Sequence, residues 1–244
     1  MHAYGRIDSS NEAARELARR GAPAGAIVVC REQSAGRGRA GRAWYSPGYG
    51  GVYLSMLYRP ERRLHPAPVS ILAGLGVVQR LDRAFADLRP FIKWPNDIVV
   101  ADGKLGGVLA EASWTETAPR WLIVGVGINV RPFPPSAPRE VRQRAASLDE
   151  VLGTEVPLVE VADAIIGGLE AYLYDPPAAI PPPVLSELDR YDWLRDRRAV
   201  VTPPGEGPGA QGTCAGIAPD GALLFRPDRG ALRRVADATV ESVT

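Results

Sequence analysis

The chain is short of the residues that build crosslinked or metal-bound scaffolds. It holds two cysteines, Cys30 and Cys214, and two histidines, His2 and His65, in 244 residues. That excludes a disulfide framework and a Cys-rich zinc site. Neither histidine stands beside other metal-ligand types, so a zinc centre or a His-based triad finds no support. No apolar run approaches the roughly 18–20 residues a membrane helix needs. The opening residues, MHAYGRIDSSN, lack the apolar stretch and small-residue cleavage site of a secretory leader. An excess of one charge is also missing. The 29 basic and 28 acidic side chains leave a net +1, which gives no global basicity for bulk nucleic-acid binding. Hydrophobic residues make up 45% and charged residues 23%, the proportions of a globular chain. The length suits one medium domain, or one domain plus a small second one. A soluble, reduced, cytoplasmic protein is the expectation.

Lysine is the most informative shortage. Of the 29 basic residues only two are lysine, Lys93 and Lys104, and both lie in one short segment. Asparagine occurs three times, as Asn11, Asn96 and Asn129. Under a bias against Lys and Asn, a lysine that only supplies charge drifts to arginine. Those that persist are enriched at sites needing a compact point charge in place of a planar fork. Chance clustering of two residues is the alternative.

Along the chain, Ser9 or Ser10 caps a helix that Gly21 stops. Residues 26–30 read as a buried strand. Residues 33–51 hold six glycines and three arginines without periodicity and read as a loop. Residues 52–59 are apolar on both alternating faces, a strand covered on both sides. Residues 69–88 form a long amphipathic helix. Short strands flank Pro95, and Asp102-Gly103 signals a hairpin turn. Residues 121–130 are another buried strand, followed by a proline-stiffened loop at 131–138. Ser147 and Glu150 make a capping-box pattern, and 158–173 is a helix with Ile165, Ile166 and Leu169 inward. A last helix follows the proline run at 181–183. Beyond Arg195 the texture changes to short strands with Gly and Pro turns, a small all-β barrel or sheet. The class is α+β.

Three segments have the chemistry of a ligand site. In GRGRAGRAW, Gly36, Gly38 and Gly41 let backbone N–H groups approach an anion, and Arg37, Arg39 and Arg42 supply charge. It is neither a P-loop nor a dinucleotide fingerprint, and a solvated basic loop is the plain alternative. KWPNDIVVADGKLGG puts Lys93, Asn96, Asp97 and Lys104 around a tight hairpin. GVGINV sets Gly125 and Gly127 in an apolar strand with Asn129, which signals either close approach of a partner or a β-bulge. Cys30 reads as core. Trp44 has no core pattern around it and could cap a nucleobase. Six glycines make residues 33–51 costly to order, and three arginines repel one another there unless anions arrive.

Taken in order, DSSN at 8–11, EQSAGRGRAGRAW at 32–44, KWPNDIVV at 93–100, KLGGVLAE at 104–111 and GVGINV at 125–130 resemble the bacterial biotin–protein ligases. Ser10 stands where that family usually has threonine, and Ala40 where it is often basic. The resemblance implies a mixed-sheet catalytic domain flanked by helices, of the class II synthetase-like biotin/lipoate ligase fold, over residues 1–194. A small SH3-like β-barrel domain would occupy 195–244. It implies joining of biotin to a lysine of a biotin carboxyl carrier domain through biotinyl-5'-AMP, with ATP and Mg2+. Biotin would contact Ser9, Ser10, Asn11, Gln33, Gly36, Arg37, Gly38, Arg39 and Lys104. ATP would contact Arg39, Arg42, Trp44, Lys93, Asn96 and Asn129. Lys104, Arg39 and Asp97 would be catalytic. Lys104 would bridge the biotin carboxylate and the α-phosphate, and Asp97 is the candidate metal ligand and general base. Some members carry a winged-helix DNA-binding domain. Here the first motif begins at residue 8, so no DNA contact is expected. Monomer and homodimer stay open. A lipoate or octanoyl transferase, and a non-enzymatic RNA- or phosphate-binding module, are the rival readings.

Overall fold

The computed structural model describes residues 1–101, 103–114, 119–205 and 207–242. The chain opens with strand β1 (His2–Ile7), helix α1 (Ser10–Arg19), strand β2 (Ile27–Gln33) and strand β3 (Gly51–Tyr58). Helix α2 (Pro66–Ala84) leads to the short strands β4 (Pro90–Lys93) and β5 (Asp97–Val100) and the long pair β6 (Gly103–Trp114) and β7 (Pro119–Asn129). Helices α3 (Arg139–Arg144), α4 (Leu148–Leu152), α5 (Leu158–Leu173) and α6 (Pro182–Leu188) follow. Strands β8 (Arg198–Thr202), β9 (Ala210–Ile217), β10 (Leu223–Pro227), β11 (Arg233–Val235) and β12 (Thr239–Ser242) complete it.

The first seven strands form one sheet in the order β1-β2-β3-β7-β6-β5-β4. Only β1 and β2 pair in parallel, so the sheet is mixed and the α+β expectation is met. β3 is buried at every residue, as its two apolar faces require. The faces of the sheet bury different things. Val28, Leu57 and Ile123 pack with Ala14 and Ala18 of α1 in a small cluster. Leu54, Met56, Val124 and Val126 point the other way, into the large core with Leu72 and Leu75 of α2 and Ile165 and Leu169 of α5. Each such fully buried side chain contributes about 1.5–3 kcal/mol. α1 has ten residues and spans about 15 Å at the usual rise. It covers only part of its face, and the rest is left for the site.

Two elements depart from expectation. β1 was not foreseen, because an edge strand exposed at nearly every position shows no apolar alternation. α3 was not foreseen either: REVRQR buries none of its residues. α2 starts at Pro66, where the ring suits a first helical turn, and ends at Ala84. Of the expected turn at Asp102-Gly103, Asp102 lies outside the described residues.

The last five strands make a second, antiparallel sheet in the order β11-β10-β9-β8-β12. Among the described residues β11 and β12 do not pair, so the sheet is open where a closed barrel was expected. β11 is only three residues, two of them exposed arginines, too short and too polar to close a barrel. The apolar residues of this second sheet, Val201, Leu223 and Phe225 among them, run on into the large core. Trp94 ties the β4–β5 hairpin to it by donating Nε1–H to the Gly221 carbonyl at 2.8 Å. Cys30 and Cys214 are free and buried, and burial pushes both thiols up to about 11. No helix among the described residues is long and apolar enough to cross a membrane.

Asp192, at this junction, is only 7% exposed. Its Oδ1 accepts the Leu194 N–H at 3.0 Å, while Oδ2 has no partner among the described residues. Burial pushes its carboxyl up from 3.8 to about 6, with the Leu194 N–H opposing. The folded value lies above the unfolded one. The fold therefore carries no penalty below about pH 4 and the full one, up to about 3 kcal/mol, above about pH 6. Asp192→Asn should raise Tm by several degrees at pH 8 and leave it unchanged near pH 4, as read by scanning calorimetry at both pH values. An equal shift at both would contradict this.

Candidate functional site

A cavity of about 490 Å³ opens on the α1 face of the first sheet, beneath the glycine–arginine loop and against the second sheet. Its floor is strand β7. The one-to-one register of β7 with β3, from Gly51 opposite Asn129 to Tyr58 opposite Leu122, is unbroken. Gly125 and Gly127 therefore mark no bulge. They permit close approach: a Cβ on Gly125 would stand 2.1 Å from Asn11 Oδ1, and one on Gly127 2.7 Å from Trp44 Nε1. Asn11 and the Trp44 indole thus lie directly on backbone.

One wall starts with Ser9, Ser10 and Asn11 at the N-terminus of α1, all buried and all lining the cavity. The Ser10 N–H donates to Gln33 Oε1, and Gln33 Nε2 donates to Ser46 Oγ, both at 2.8 Å. Ser55 Oγ, wholly buried on β3, lies 2.7 Å from Ser10 Oγ and 2.6 Å from Asn11 Oδ1. Asn11 Nδ2 donates to Glu111 Oε2 at 2.7 Å. Arg15 Nη2 donates to Glu111 Oε1 at 2.8 Å, and Arg15 Nη1 to Glu12 at 2.6 Å.

The opposite wall carries Lys104. Its Nζ is 2.6 Å from Asp97 Oδ1 and 5.2 Å from the Trp44 ring centroid. Asn96 also lines the cavity, but its Nδ2 is committed to the Val108 carbonyl at 2.9 Å. The roof is the loop, folded back on itself by a bridge between Arg37 and Ala43 and by the Gly38 N–H donating to the Arg42 carbonyl at 2.7 Å. Ala40 sits at its tip with φ +54°. Arg37, Gly38, Arg39 and Arg42 line the cavity. Arg37 meets Glu12 at 3.3 Å, and Arg39 is ion-paired with Asp237 of the second sheet's last loop. Two of the three arginines thus have carboxylate partners, which offsets the mutual repulsion expected of the loop.

Three of the nominated residues stand behind the cavity wall. Gly36 supplies its carbonyl to the Trp44 N–H at 2.8 Å. Asn129 Nδ2 donates to the carbonyls of Lys104 and Ala146, both at 3.1 Å, and so braces the backbone that carries Lys104. Lys93 Nζ lies 4.8 Å above the Trp193 ring. Burial pulls its pKa below the usual lysine range; the nearby Lys104 charge adds to this and Asp97 opposes it. Residues the sequence did not nominate complete the site: Ser55, Glu111, and Thr202–Gly205 with Asp237–Thr239 from the second sheet. Ser55 left a faint signal, the one small hydroxyl in a strand apolar on both faces.

Among the described residues no group of three His, Cys, Asp or Glu could hold a metal ion. Asp97, the one carboxylate nominated as a ligand, is engaged by Lys104. The site does not fit a resident metal.

Fold and cavity together define an α+β protein with a deep cavity lined by cationic side chains. The chain belongs to the biotin/lipoate A/B protein ligase family, which matches residues 4–129. It is 38% identical over 161 residues to the bifunctional ligase/repressor BirA of Bacillus subtilis, covering 66% of this chain and 49% of that protein. It is 38% identical over 131 residues to the biotin–[acetyl-CoA-carboxylase] ligase of Paracoccus denitrificans, covering 53% and 54%. The chain thus spans about half the length of these curated relatives. Its fold matches a biotin protein ligase from Aquifex aeolicus in complex with biotin and ATP, with a TM-score of 0.80 over 99% of this chain and 98% of that one, at 24% identity.

The floor is testable by substitution. Gly125→Ala should cost about 1–3 kcal/mol in urea unfolding, the usual range for overpacking a rigid site, because Asn11 is buried and held on both sides. Gly127→Ala should cost less, because Trp44 belongs to a loop and can lift, and its fluorescence should shift to the red. Equal stabilities for both variants and wild type would contradict the close approach.

Proposed function

We propose that the chain is a biotin–protein ligase. It would join biotin to ATP, releasing pyrophosphate and forming biotinyl-5'-AMP, and then transfer biotin to one lysine of a biotin carboxyl carrier domain, releasing AMP. The observation that carries this reading is the convergence on one cavity of Lys104, the Ser-Ser-Asn start of α1 and the glycine–arginine loop. The relatives' activities support it, as does the pairing of those three motifs in one site.

Two anions, the biotin carboxylate and the α-phosphate, must be brought within bonding distance. Lys104, Arg39 and Arg42 line the space and offset their repulsion by fixed positive charge. Lys104 is the group proposed to bridge the two, since an ammonium offers rotating donors to oxygens on either side. Asp97 holds its Nζ at 2.6 Å. Asp97 is also the carboxylate proposed to take the proton of the acceptor amine. ATP enters as its magnesium complex, the ion carried by the phosphates. Trp44, lying against Gly127, offers an aromatic face for the base, and Asn96 lies on the same side. Asn129 and Lys93 act on the nucleotide from behind, through Lys104 and the hairpin. Residues 1–194 would form the catalytic unit and 195–244 the smaller one, which adds Asp237 to the cavity rim. The net charge of +1 supports a ligase that does not act by binding DNA. A cytoplasmic site of action, where ATP is available and thiols stay reduced, goes with this reading.

Biotin-dependent release of pyrophosphate from ATP tests the proposal. Wild type should release it, and Lys104→Arg should keep the wild-type Tm yet lose most of the release, at least about tenfold. Release by Lys104→Arg at the wild-type rate would remove the bridging role. No biotin-dependent release by wild type would remove the function.

A further inference from the structure

We propose that Glu111 and Ser55 are positioning residues that fix the direction of a buried hydrogen-bond relay and leave Ser10 facing the cavity as an acceptor. The group seated on Ser10 must then be an N–H, such as one ring N–H of a cyclic urea, and not a carbonyl oxygen. This deepens the biotin reading and rests on it.

The direction follows from counting protons. The Asn11 amide nitrogen faces two acceptors, Glu111 Oε2 at 2.7 Å and the Leu109 carbonyl at 3.4 Å. A flipped amide would put its oxygen against both, so the nitrogen must lie on that side. Arg15 and Glu12 pin the Glu111 carboxylate in place, Arg15 Nη2 reaching Glu111 Oε1 at 2.8 Å. Asn11 Oδ1 is therefore the atom that meets Ser55 Oγ at 2.6 Å. An amide oxygen has no proton to give, so Ser55 donates to it. A hydroxyl has one proton, and Ser55 has now used it. Its 2.7 Å contact with Ser10 Oγ is then Ser10 donating to Ser55. Ser55 is wholly buried, so water cannot supply another partner. Ser10 has spent its own proton and turns only lone pairs toward the cavity it lines. Asn11 is likewise nearly saturated: both amide protons point inward, and only one lone pair of Oδ1 is left for a ligand. Its main task is to pass the direction set by Glu111 to Ser55. A Cβ at position 125 would strike Asn11 Oδ1 at 2.1 Å, so Gly125 is what lets the relay pass over β7.

Replacing Glu111 by glutamine tests the direction. Arg15 would claim the new amide oxygen and turn Nε2 toward Asn11, which favours the flipped Asn11 and an outward-pointing Ser10 proton. Calorimetric titration of the full chain with biotin alone, without ATP, is the readout. Glu111→Gln should bind biotin about tenfold more weakly, the loss of one well-made hydrogen bond. Ser55→Ala, which frees the Ser10 proton by another route, should weaken binding to a similar degree. In a Ser10→Ala background, Glu111→Gln should change binding less than twofold, because Glu111 acts through that hydroxyl. Wild-type affinity in both Glu111→Gln and Ser55→Ala would overturn the relay. So would an equal tenfold loss with and without the Ser10 hydroxyl, which would mean that Glu111 only supports the fold. No biotin uptake by wild type would overturn the ligase reading, and the relay with it.

Discussion

Everything in the site rests on the absence of side chains at two positions of β7. Positions 125 and 127 share the sheet face that α1 only partly covers, and the cavity occupies the remainder. An ordinary residue there would project into that space. With glycine, Asn11 and the Trp44 indole settle on bare backbone, and the start of α1 and the tip of the loop come together across the floor. The unbroken pairing of β7 with β3 keeps that floor rigid. The opposite face of the same strand feeds Val124, Val126 and Ile128 into the large core. One strand therefore anchors the fold on one side and shapes the site on the other.

The electrostatics are those of paired charges. Of the four cations that line the cavity, three are matched with carboxylates: Lys104 with Asp97, Arg37 with Glu12, and Arg39 with Asp237. Each pair is at least partly open to solvent, and such pairs are worth at most about 1 kcal/mol. They hold the cations in place without locking them. The Arg39–Asp237 pair also joins the loop to the second sheet, so that unit helps to set where the loop rests.

Much of this is legible in the sequence. β3, β7 and α5 announce themselves by apolar pattern, because burial on two faces leaves an unbroken apolar strand and burial on one leaves a helical stripe. The scarcity of lysine pointed to Lys104, which lines the cavity, and to Lys93, which packs on Trp193 instead. β1 and α3 were illegible for one reason: neither buries enough to need a pattern. Asp237 was illegible for another. It meets Arg39 across 198 residues of sequence, a distance over which no local spacing speaks. Ser55 and Glu111 fall between these cases. Each is a polar residue in a strand, and only the register that sets Ser55 opposite Gly125, and Gly125 opposite Leu109, shows that they serve one relay.

The family takes its name from biotin and lipoate together, and the proposed function commits to the first of the two. Transfer in competition is therefore the most direct measurement. The full chain, ATP with magnesium, and equal concentrations of biotin and lipoate would be incubated with biotin carboxyl carrier and lipoyl domains together, and the carriers read by intact mass. The account predicts one biotin on the single acceptor lysine of the biotin carrier and none of either acid on the lipoyl domain. Lipoyl transfer, or no ATP-dependent mass change on the biotin carrier, would contradict it.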